Sequence, residues 1–102
     1  MLYAVRCVDA ADVEALRGKH VVEHKRYLRE QAHILVLGGA LLGHAEQDPV
    51  GSLYIVTAAD RRSAEQFSEN DPFTRAGVFL EVTITAMRKS HFNPQAAAES
   101  DL

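Results

Sequence analysis

Hydrophobic positions along this chain change period several times, and each change marks a new element. Leu2 to Val8 is an apolar run broken only by Arg6, and its Tyr and Val content predicts a strand with Leu2, Ala4, Arg6 and Val8 on one face. After Asp9 and Asp12, two candidate N-caps, the spacing becomes helical. Val13, Leu16, His20, Val21, His24, Tyr27 and Leu28 share a stripe that runs to about Gln31, while Glu14, Arg17, Glu23, Lys25, Arg26 and Arg29 mostly take the other side. His33 to Leu37 predicts a second strand that ends in Gly38-Gly39-Ala40-Leu41-Leu42, where the glycines permit a bulge or close backbone approach. A turn from Gly43 to Pro49 leads into a third strand, Gly51 to Thr57, and residues 33–57 form one antiparallel hairpin.

Asp60 is placed to cap a second helix with Ala64, Phe67 and Ser68 inward. That helix must stop by Asn70, because Pro72 has no backbone N–H and pushes Asp71 out of the α region. Phe73 to Gly77 reads as a loop. Val78 to Met87 then alternates, Val78, Leu80, Val82, Ile84 and Ala86 against Phe79, Glu81, Thr83 and Thr85, as a half-buried strand does. The domain is expected to span residues 1–90, followed by a polar, flexible tail over 91–102. Strand, helix, strand, strand, helix, strand is the ferredoxin-like βαββαβ order of an α+β fold, with both helices on one face of an antiparallel sheet. The other face then needs cover, and a second copy of the same sheet supplies it most simply: the expectation is a homodimer with sheets packed face to face.

Composition narrows the field without naming a function. The chain has 102 residues, 47% hydrophobic and 25% charged, which suits a single globular domain. With 11 basic and 14 acidic side chains the formal charge is −3, so no basic surface speaks for nucleic acid. A lone cysteine excludes an intrachain disulfide and a four-cysteine zinc site. Arg6 and Asp9 interrupt the N-terminus before a signal-peptide core forms, and no apolar stretch has membrane-spanning length, so a cytoplasmic protein with no membrane partner is expected.

The chemistry-bearing candidates are few. His20-Val21-Val22-Glu23-His24 matches the H-x-x-E-H string of inverted zinc peptidases, but a third ligand from another helix is needed, and the later helix offers only Glu65 and Glu69. No metal site is therefore assigned. His24 instead suits general acid/base work, although a histidine on an apolar stripe is more often a hydrogen-bonded core residue. Asp71 in an Asp-Pro turn is held in a fixed pose, and a carboxylate within reach of an imidazole fixes its tautomer and stabilises its protonated form. The bland reading of Asp71 is a helix stop. Tyr27, one turn after His24, has a phenol for an oxyanion or merely packs; Ser52 is a donor or a turn residue; Arg6 and Arg75 suit a substrate carboxylate or the surface; Cys7 is a small buried hydrophobe.

The ordered set Leu2-Tyr-Ala-Val-Arg-Cys-Val-Asp9, His24-Lys-Arg-Tyr27-Leu28, Leu37-Gly38-Gly39-Ala40-Leu41, Gly51-Ser52-Leu53 and Asn70-Asp71-Pro72-Phe73-Thr-Arg-Ala-Gly77-Val78 resembles the YciI-like family. The resemblance implies a dimeric α+β barrel and a site built from His24 and Asp71, with no obligatory metal or organic cofactor. It also implies small-ring chemistry of the muconolactone-isomerase and dehydrochlorinase kind, that is, metal-independent lyase, isomerase or hydrolase-like action on a small-molecule substrate. Arg6, Tyr27, Gly39, Ser52 and Phe73 are the expected substrate-binding residues, Gly39 by admitting the substrate close to backbone. Two positions depart from the family pattern. Ala40 stands where proline usually follows the glycine pair, and Phe73 stands where tyrosine is commoner. The competing expectation is a non-catalytic module that binds a metabolite or partner in the same cleft.

Overall fold

The computed structural model describes residues 1–99. Four strands, β1 (Leu2–Asp9), β2 (Leu35–Leu42), β3 (Pro49–Thr57) and β4 (Phe79–Met87), form one antiparallel sheet in the order β2-β3-β1-β4. Helix α1 (Glu14–Glu30) joins β1 to β2, and α2 (Arg61–Glu69) with the short α3 (Pro72–Ala76) joins β3 to β4. This is the ferredoxin-type βαββαβ arrangement predicted from the chain's periodicity.

Strand parity decides what faces the helices. Tyr3, Val5 and Cys7 of β1 and Tyr54 and Val56 of β3 point toward them and, with Ala64 and Phe67 of α2, form the core. On β4 the cross-strand partners of Tyr3, Val5 and Cys7 are Ala86, Ile84 and Val82, so the apolar set of that strand turns inward. Two members break the pattern. The register shifts between Val8 and Asp9, which brings Phe79 opposite Asp9 and onto the core, while Leu80 is left 72% exposed.

Several local expectations are corrected. α1 begins at Glu14 after Val13, with no side-chain cap: Asp12 adopts φ 56, and the Asp9 carboxylate is taken by Arg17. β2 begins at Leu35, because His33 and Ile34 belong to a turn in which Ile34 N donates to Gln31 O at 3.0 Å. The 73–77 loop is the helix α3, for which Pro72 supplies the first-turn φ and Asp71 the N-cap; Gly77, at φ 83, closes it in the left-handed conformation. Asp60 does cap α2, accepting from Ser63 N at 2.8 Å. Within the tail a short helix, α4 (Pro94–Ala98), is capped by Asn93; the last three residues of that expectation lie outside the described ones. Among the described residues no helix is long and apolar enough to cross a membrane.

A candidate active site between helix one and the Asp-Pro cap

The site starts from an anomaly on α1: its one buried side chain is His24. A histidine goes inside only if both ring nitrogens are answered. Nδ1 lies 2.7 Å from Asp71 Oδ1, and Nε2 lies 3.2 Å from the Tyr54 hydroxyl. Asp71 is itself 1% exposed, and its Oδ1 also accepts the Phe73 N–H at 2.9 Å, which is the cap of α3. A carboxylate can only accept, so the network assigns the proton of the His24 contact to Nδ1. Nε2 is then the lone-pair nitrogen, and the Tyr54 O–H donates to it. Burial pushes the Tyr54 phenol above its ordinary value, so it keeps the proton that it donates.

Phe73 completes the clamp. Its ring stacks on the imidazole with centroids 3.9 Å apart and planes 5° from parallel. The Asp-Pro turn thus contributes three things: Asp71 orients the imidazole, Pro72 starts α3, and Phe73 fixes the ring plane. A cavity of about 460 Å³ opens beside this cluster, lined among others by Arg17, His24, Gly39, Ser52, Tyr54 and Phe73.

The predicted residues separate into two groups. His24, Asp71 and Phe73 are brought together, and Ser52 and Gly39 line the same cavity. Arg6 and Tyr27 are not part of it. Arg6 alternates with buried Val5 and Cys7, so it is exposed on the sheet face away from the helices. Tyr27 donates its O–H to Phe67 O at 2.8 Å, tying α1 to α2, and burial pushes its phenol up to about 12. Within the chain itself, the close backbone approach is at Gly38, while Gly39 stands beside open space at the cavity. A Cβ at Gly39 would meet nothing within 4 Å, whereas one at Gly38 would lie 2.6 Å from Tyr54 Cδ1. Gly38 therefore makes the room in which the Tyr54 ring stands.

His20 is turned aside, with Nδ1 3.7 Å from Glu23 Oε2, and Arg75 is occupied by Asn70 Oδ1 at 2.8 Å. Among the described residues no three His, Cys, Asp or Glu side chains group closely enough to hold a metal ion. Cys7 is buried beneath the site, and desolvation pushes its thiol up to about 12.

Two members were missed. Tyr54 reads in sequence as one aromatic of an apolar strand, and only its parity with Ser52, seen once the register is known, puts it in the cavity. Arg17 reads as a solvated helix charge. It instead grips Asp9, with Nε to Oδ2 at 2.7 Å and Nη2 to Oδ1 at 2.9 Å, and its guanidinium carbon stands 5.0 Å from the Phe73 ring centroid. Its spacing of seven from His24 puts both on one face of α1, which was the available signal.

The model of the YCII-related domain matches residues 1–88. Among solved structures, the chain is similar to 5-chloro-2-hydroxyhydroquinone dehydrochlorinase (TftG) from Burkholderia phenoliruptrix AC1100, in complex with 2,5-dihydroxybenzoquinone. The TM-score is 0.83 and the identity 28%, covering 88% of this chain and 96% of that one. An antibiotic biosynthesis monooxygenase shares the fold at TM-score 0.54 and 14% identity, over 89% of this chain and 100% of that one. No curated protein matches.

Proposed function

The chain belongs to the YCII-related domain family, and from that premise we propose that it is a small-molecule enzyme in which His24 moves a proton and Asp71 orients and charges it. The observation that carries this reading is the 2.7 Å contact between His24 Nδ1 and Asp71 Oδ1 at the wall of a cavity large enough for one substituted ring. With Nδ1 protonated, substrate draws the Tyr54 O–H away from Nε2, and the freed Nε2 lone pair takes a proton from an acidic O–H or C–H of the substrate. The freed electron pair then moves through the ring and either expels a leaving group as its anion or returns to a proton at another carbon. Elimination and isomerisation are the two outcomes of that one step, and lactone-type hydrolysis follows if water is the proton donor to Nε2. Tyr54, which keeps its proton, donates to the oxygen on which charge develops. The dehydrochlorinase likeness favours elimination.

The test is turnover of 5-chloro-2-hydroxyhydroquinone and a panel of halogenated or lactone-bearing rings by the wild-type chain, His24→Gln and Asp71→Asn. Removing a positioned acid/base group is expected to lower kcat about 10²–10⁴-fold. Folded variants that turn over as fast as the wild type would sink the proposal. A chain that binds panel compounds and converts none of them is a binding module.

We propose in addition that two chains meet through their open sheet faces. Leu37 is 61% exposed there, and Leu2, Leu53 and Ile55 share that face by register. Sedimentation at twice the chain mass is the expected result, and a single-chain mass at micromolar concentration rules the proposal out.

A further inference from the structure

The cavity wall carries a charge pattern at odds with the chain as a whole. Acidic side chains outnumber basic ones by 14 to 11, yet among the described residues no Asp or Glu lines the His24 cavity, whereas Arg17 and Lys25 do. The nearby acids lie elsewhere. Asp9, Asp12, Glu14 and Asp48 line a second groove that shares Arg17 and Pro49 with the cavity, and Asp71 is buried behind the imidazole.

Arg17 is also half spoken for in an informative way. Its Nε and Nη2 are held by Asp9, and Nη2 further donates to Gly51 O at 3.1 Å and Ser52 Oγ at 3.2 Å. Among the described residues Nη1 has no hydrogen-bond partner, which leaves two N–H donors on a guanidinium whose plane is fixed by β1 and β3. A planar, immobilised donor pair of fixed charge favours an anionic oxygen over a neutral one, since charge-assisted hydrogen bonds are roughly twice as strong as neutral ones. The remaining walls, Val21, Leu28, Ala40, Pro49 and Phe73, are apolar.

We propose that the cavity selects an organic anion: a flat apolar body held against these walls, with a carboxylate or aryl-oxide oxygen on Arg17 Nη1 beside Ser52. Arg17 and His24 are about 10 Å apart along the α1 axis, but both rest on Phe73, His24 at 3.9 Å and Arg17 at 5.0 Å from its ring centroid. One substituted ring therefore reaches both, its anionic oxygen at Arg17 and its reacting edge at His24. This inference rests on the reading of the cavity as a substrate site, and it adds the substrate's charge and the residue that reads it.

Calorimetric titration at pH 8 of benzoate and its neutral isostere benzamide tests it. Wild-type protein is expected to bind benzoate at least tenfold more tightly than benzamide, and Arg17→Met to lose that preference. Because Arg17→Met strands Asp9, the double variant Asp9→Asn/Arg17→Gln removes the ion pair as a unit, and circular dichroism verifies its fold; it too should bind the two probes alike. Lys25→Met should keep the preference. The proposal is overturned if wild type binds the probes equally, if the preference survives in either folded Arg17 variant, if it follows Lys25, or if inorganic phosphate binds as tightly as benzoate. The reading of His24 fails separately: turnover by folded His24→Gln as fast as the wild type removes the proton-transfer step, whereas the benzoate preference is read from the wild type and the Arg17 variants alone.

Discussion

The two faces of the sheet depart from ordinary patterning in opposite directions. The helix-covered face buries His24, Asp71 and Ser52 among Tyr3, Val5, Val56 and Phe67, while the open face, which also carries Arg6, leaves Leu37 61% exposed. Both arrangements cost stability in isolation: a buried polar group lacks water, and an exposed apolar patch orders it. The difference lies in how each cost is met. Inside, His24 has Asp71 and Tyr54, Asp71 has the Phe73 N–H, and Ser52 has Arg17. Outside, Leu2, Leu37 and Ile55 share a groove with Met87, Phe92 and Ala97 of the C-terminal segment, and Leu37 still keeps most of its surface in solvent. The covered face answers these polar groups from within the chain, while the open face keeps apolar surface exposed.

The sharpest way to break this contrast is to empty the inner face. Phe73 is 2% exposed and stacked on the imidazole, so Phe73→Ala should cost about 3–5 kcal/mol in chemical denaturation, and a loss below about 1 kcal/mol would deny that the ring is packed. Next in size is a matched pair. Gly38→Ala drives a methyl into the Tyr54 ring and should cost about 1–3 kcal/mol, while Gly39→Ala, one residue away where a Cβ meets open space, should stay within about 0.5 kcal/mol. Equal effects would mean that parity does not separate the two faces. On the outer face, Leu37→Asp should leave the melting temperature of the single chain nearly unchanged and shift sedimentation toward one chain, because a charge there disrupts only what lies across the face.

The smallest effect is in pH. Burial raises the Cys7 thiol from 9.0 to about 12 and the Tyr27 phenol from 10.0 to about 12. For both groups the unfolded chain loses the proton first, so their contribution is complete below the unfolded value and declines as pH rises toward 12. The urea midpoint should fall between pH 9 and 11, and less steeply in Cys7→Ala. Iodoacetamide should leave Cys7 unlabelled at pH 8 until the chain unfolds.

The same contrast explains what was readable in advance. Element order followed from period, and His24 and Asp71 stood out because each is locally odd: an imidazole on an apolar stripe, and a carboxylate locked before proline. Arg17 and Tyr54 are locally ordinary. Their membership depends on the rotation of α1 and the β1–β3 register, which no stretch of sequence displays alone. Arg6, Gly39 and Phe79 turned on parity: a strand pattern shows that two faces differ but not which one the helices cover, and the shift near Asp9 reverses the pattern at Phe79. Tyr27 stayed open between oxyanion donor and packing because a phenol on the right stripe does not reveal that a carbonyl of α2 will accept its O–H.

The His24–Asp71 contact joins positions 47 residues apart, and it has a kinetic consequence. The proton on Nδ1 is enclosed between a buried ring and a buried carboxylate, so its exchange with solvent is slowed for as long as α1 and α3 stay together. That proton is a clock for the joint. Its exchange rate reads the opening frequency of the one seam in the molecule that the proposed chemistry needs shut.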